Sequence, residues 1–209
     1  MTFWIFPSPC RMNAPALPDR IGASSLPPRA TDPCGDVLRM HQIVWDDAAS
    51  LLAQYDLKLA RVPDAADICG SYWGDCEAGV IGSVVYARVD TPVHSLLHEA
   101  CHLAVLSPAR RAAVHTDASD CQREEDACCY LQIVLADALP GVGAARIMRD
   151  MDSWGYSFRL GSAQAWFEHD AEDARSWLRQ RGLLPANPCL SVAGDPGPTY
   201  DLQRAGSAV

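Results

Sequence analysis

The stretch Thr91-Pro92-Val93-His94-Ser95-Leu96-Leu97-His98-Glu99-Ala100-Cys101-His102-Leu103-Ala104-Val105-Leu106-Ser107-Pro108 carries its own start and stop signals. Thr91 is a good N-cap, Pro92 suits a first helical position and Pro108 ends a helix, so the spacing predicts a helix from Thr91 to about Ser107. Residues four apart share a helical face, so His98 and His102 aim their imidazoles at one point, with Glu99 beside them. This H-E-x-x-H pattern predicts a divalent metal, zinc in the first instance, held by His98 and His102. Glu99 is then the catalytic carboxylate, placed to take a proton from a water that the ion activates. With six histidines and six glutamates in 209 residues, chance gives the pattern in roughly one such sequence in two hundred, so it is informative. The alternative is an ordinary half-buried helix whose histidines are hydrogen-bonded.

Outward from the motif, Val80 to Val89 is rich in β-branched residues and predicts a strand that runs straight into Thr91-Pro92. A second strong helix is expected over Cys121 to Leu139, closed by Pro140-Gly141, with shorter ones around Ala144 to Asp152 and Ala163 to Arg181. Upstream, Val37 to Tyr55 reads as a helix with Val37, Leu38, Val44, Leu51 and Leu52 as its buried stripe, followed by a short strand over Leu57 to Val62. The expected fold is α+β, a single mostly helical domain over 37–184 with a small sheet next to the motif helix.

Two histidines need a third ligand, and the acidic start of the second helix supplies candidates. Stepping by three and four from Glu124 passes Ala127, Cys128, Leu131, Val134 and Leu135, the apolar face; from Glu125 it passes Cys129, Gln132 and Ala136, a more polar one. An acidic residue in line with a buried stripe is costly unless paired or metal-bound, which favours Glu124 as third ligand, with Glu125 as the alternative. His115, Asp117 and Asp120 are further candidates in the connecting segment. A carboxylate stabilised only by the helix dipole is the bland reading.

H-E-A-C-H followed, after 21 intervening residues, by E-x-x-A on another helix resembles the zincin metallopeptidases of the gluzincin type. The resemblance implies a zinc ion, a catalytic water, a peptide or protein substrate and an edge strand that holds extended peptide, for which Val80 to Val89 is the candidate. Many gluzincins carry an aspartate four residues after the glutamate ligand; counted from Glu124, that position is Cys128. For an oxyanion-stabilising group the segment from Asp150 to Arg159 offers Tyr156 and Arg159, with Trp154, Tyr156 and Phe158 as core the plainer reading. His94, one turn before His98, is a candidate outer-shell ligand or a cleft-lining histidine, Cys101 a neighbour of the metal or a packed thiol, and His169-Asp170 a proton-donor pair or a solvated helix end.

The sequence therefore reads as a zinc-dependent, metallopeptidase-like hydrolase. Two histidines and a carboxylate also form the facial triad of Fe(II) oxygenases, and the elongation factor P hydroxylases share an H-E-x-x-H helix, so an oxygenase is the second reading. A metal-binding scaffold without catalysis is the third.

Composition bounds the rest. A net charge of -9 from 17 Lys+Arg and 26 Asp+Glu repels phosphates, which excludes nucleic acid and anionic membrane as expected partners. No apolar run reaches the roughly 20 residues of a membrane span, and prolines interrupt the opening MTFWIFPSPCR, so a cytoplasmic chain is expected. The nine cysteines are odd in number and contain no C-x-x-C pair, which points to reduced, packed thiols. Seven of the fifteen prolines fall in the first 33 residues, so 1–36 reads as a flexible arm, and the Pro-, Gly- and Ser-rich stretch 185–209 as a surface tail.

Overall fold

The computed structural model describes residues 36–184, apart from 73, 75, 117, 119 and 120. The expected arm and tail lie outside these residues, save Asp36. The described chain is α+β: seven α-helices and one three-stranded mixed sheet. No helix among the described residues is long and apolar enough to cross a membrane.

The sheet contains β1 (Lys58–Arg61), β2 (Gly79–Ile81) and β3 (Val84–Ala87) in the order β1-β3-β2, with β1 parallel and β2 antiparallel to β3. The single strand expected over Val80 to Val89 is thus a hairpin. Gly82, at φ +59, takes the left-handed conformation the reversal needs, and the β-branched composition is alike on both sides of it. This also corrects the expectation of a peptide-holding edge there. β3 is the central strand, and Val80 of β2 is engaged outward, its N–H donating to the Gly70 carbonyl (3.1 Å) and its carbonyl accepting from Thr116 N–H (3.0 Å). Gly79 lies so close to the loop before it that a Cβ there would fall 2.1 Å from the Cys69 carbonyl oxygen. That approach needs glycine.

The helix expected from Val37 to Tyr55 forms as an α-helix only from Trp45, after an irregular lead-in. Met40 N–H donates to Thr91 O (2.9 Å), His41 N–H to Val89 O (2.8 Å), and Val93 N–H to Leu38 O (2.8 Å), so this segment uses its backbone groups against the chain entering the motif helix. Leu38 N–H also donates to the buried Asp150 carboxylate at 2.9 Å. Only a 3-10 turn (Met40–Gln42) and α1 (Trp45–Ala53) are helical. Val37, Leu38, Leu51 and Leu52 are buried as expected, but Val44 precedes α1 and is exposed.

The motif helix is α2 (Val93–Val105), with Pro92 rather than the expected Thr91 at the N-cap position and no side-chain cap. Thr91 accepts instead from Arg88 N–H at 2.9 Å, closing the turn that delivers α2 from β3. α2 packs on β2 and β3 with one side and along α4 (Gln122–Ala136) with another. Between them comes α3 (Pro108–Arg111), which sequence reading did not anticipate. α5 (Ala144–Trp154), α6 (Ala163–His169) and α7 (Glu172–Gln180) complete the order; the one helix expected over Ala163 to Arg181 breaks where the Asp170 carboxylate pairs with Arg159. Leu96, Leu97, Leu131, Ile133, Ile147, Met151 and Leu178 are fully buried at the centre, each burial contributing about 1.5–3 kcal/mol.

Candidate metal centre

The site lies between α2 and α4. His98 and His102, one turn apart on α2, are 7% and 6% exposed, and Glu125 enters from the first turn of α4. The two imidazole Nε2 atoms are 3.1 Å apart. Glu125 Oε1 lies 3.3 Å from His102 Nε2, and Oε2 lies 3.6 Å from His98 Nε2. All three donor atoms fall within 4.8 Å of one another. Zinc bonds of about 2.0–2.1 Å at tetrahedral angles put neighbouring donors about 3.3–3.4 Å apart, so these separations and this donor set fit such an ion.

Glu125 stands where Glu124 was expected. Glu124 is indeed largely enclosed, its side chain 12% exposed, but its charge is met by Arg110 of α3 in a two-pronged pair at 2.6 and 3.0 Å. A buried carboxylate does need a partner; here the partner is a guanidinium, supplied by a helix the sequence did not reveal.

Burial fixes the charge state of the histidines. It pushes His98 down to about 4 and His102 well below the ordinary histidine value, the neighbouring His98 adding to the effect on His102. Both are therefore neutral imidazoles at neutral pH, the form that ligates metals. Their other ring nitrogens are engaged: His98 Nδ1 lies 2.8 Å from Gln132 Oε1, and His102 Nδ1 lies 3.4 Å from Cys128 Sγ. Burial holds the Cys128 thiol protonated, assisted by neighbouring thiols and carboxylates.

Tyr156 packs edge-on to His98, ring centroids 5.7 Å apart. Its phenol is raised well above its ordinary value by burial, then by Cys129 and the carboxylates Glu77, Glu99 and Glu125. Glu99 itself is half-buried. Arg159, the other oxyanion candidate, is exposed and pairs with Asp170, so the structure does not bring it to the two histidines.

The remaining candidates lie apart from the donor group. His94 is fully buried against Trp154 and Tyr156, with ring centroids 4.9 and 5.8 Å away. Cys101 is a buried free thiol, like Cys128 and Cys129. His115 is exposed beside the edge of β2 and bonds to Thr116, while Asp117 and Asp120 lie outside the described residues. His169 is exposed near Glu168.

Sequence reading missed Gln132 and Glu77 as site residues and saw Cys128 only as a departure from a family pattern. For Gln132 the signal was present, a polar residue amid buried neighbours on α4. Glu77 lies in a loop and accepts from Trp154 Nε1–H at 3.3 Å; nothing local in the sequence marks it.

No protein-family model, curated protein or solved structure matches this chain. The site's own chemistry must carry the functional reading.

Proposed function

We propose that the chain is a metal-dependent hydrolase, metallopeptidase-like, that holds zinc through His98, His102 and Glu125. The supporting observation is the convergence of two neutral, buried imidazoles and one carboxylate at separations that suit a single ion. Three electron-pair donors, two of them buried, repel one another at these separations unless a cation or a proton lies between them.

Bound zinc would supply Lewis acidity, lowering the pKa of a coordinated water to about 7 and polarising a carbonyl. Glu99 follows His98 by one residue, so it is turned about 100° from that ligand and serves as general base rather than donor. Tyr156, kept protonated by its surroundings, donates a hydrogen bond to the oxygen that gains charge when a peptide-like carbonyl is attacked. Peptide or protein is the substrate class, and the reduced thiols suit a cytoplasmic setting. The same donor set is that of the Fe(II) facial triad, which makes an oxygenase the second reading.

The experiment is a peptide-library cleavage screen with zinc-loaded wild type and Glu99→Gln at equal metal content. Cleavage by wild type that falls by about 10² or more in the variant supports the hydrolase. A variant as active as wild type removes Glu99 from the mechanism, and no cleavage by either shifts the assignment to the oxygenase or to a binding scaffold.

A further inference from the structure

Gln132 stands seven residues after Glu125, two turns along the same face of α4, and is fully buried. Its Oε1 lies 2.8 Å from His98 Nδ1, while its Nε2 has no hydrogen-bond partner. A buried amide nitrogen left unpaired is destabilising, so a purely structural role would be served better by an apolar side chain of similar volume.

The amide's orientation decides what His98 can do. With Oε1 toward the ring, Nδ1 must carry the proton and donate it, which leaves Nε2 as a lone pair facing His102 and Glu125. Turned over, the amide would donate to Nδ1, and the proton would sit on Nε2, pointing where a cation must bind. A neutral imidazole has one proton to place, and its partner chooses the nitrogen.

We propose that Gln132 is a positioning residue that selects the metal-binding tautomer of His98, and that as an amide it selects less firmly than a carboxylate would. The inference rests on the metal-site reading above. It makes a distinctive prediction, because glutamate at this position can only accept, whereas leucine or methionine can do neither.

The test is zinc affinity, measured by competition with a chromophoric chelator, for full-length wild type, Gln132→Leu, Gln132→Met and Gln132→Glu, with thermal unfolding of each metal-free protein alongside. Loss of the outer partner is expected to weaken zinc binding by about 10–100-fold in the Leu and Met variants. Their metal-free unfolding temperatures should not fall below wild type by a comparable measure. The Met variant, closest in shape, keeps the comparison if Leu disturbs folding. Gln132→Glu is expected to bind zinc at least as tightly as wild type. Wild-type affinity in both apolar variants, or equal losses in the Glu and apolar variants, would overturn the positioning role alone. Wild type that binds no zinc would overturn the metal reading and this inference with it.

Discussion

Glu124 and Glu125 are neighbours on the first turn of α4, yet they face two different regions of the molecule. On the outer side Glu124 meets Arg110, whose side chain is 54% exposed, in an ion pair that solvent reaches. On the inner side Glu125, its side chain 24% exposed, meets two imidazoles that are nearly inaccessible. The outer carboxylate is answered by a positive charge within the chain. The inner one lies against two imidazoles that burial keeps neutral, an arrangement that a bound cation would complete. Adjacent residues of one type thus separate into a structural pair and a candidate metal donor through about 100° of helix rotation.

That contrast can be broken by substitution. Glu125→Ala removes a donor and should weaken zinc binding by more than the roughly 10–100-fold expected for an outer-shell partner, abolishing activity at limiting zinc; chelator competition reads it. Glu99→Gln should keep zinc and lose a factor of about 10²–10⁴ in rate, measured as initial velocity at equal metal content. Glu124→Gln should leave zinc affinity within about twofold and cost under ~1 kcal/mol in urea unfolding, since its pair is partly solvated. Zinc loss in Glu124→Gln equal to that in Glu125→Ala would erase the distinction between the two faces.

Acid should sharpen it. His94, His98 and His102 all have folded values below the ordinary 6.5, about 3 and about 4 for the first two, chiefly through burial. The unfolded chain therefore binds more protons than the folded one as pH falls below about 6.5, and stability decreases from there down through about 3. Unfolding of the metal-free protein across that window should show this decline, and His98→Gln should make it shallower.

The motif helix was legible because Pro92 and Pro108 bracket it and the histidine spacing needs no tertiary information. The choice of third ligand was not. Ala127 through Ile133 are all buried, because α4 packs against α2, α5 and α7, so no single apolar stripe existed to indicate which carboxylate points inward. Arg110 was invisible for a related reason: α3 is four residues long, too short for periodicity to register. The β2–β3 reversal turns on Gly82, and the course of Val37 to Ile43 is set by backbone bonds to residues about fifty positions away, which no local pattern encodes.

The central claim is that His98, His102 and Glu125 bind one metal ion. Elemental analysis of protein purified without chelator and supplied with zinc tests it most directly, with His98→Ala/His102→Ala as the control. About one zinc per chain in wild type and none above background in the double variant is the predicted result. Wild type without a bound transition metal, or a double variant that retains it in full, would contradict the claim.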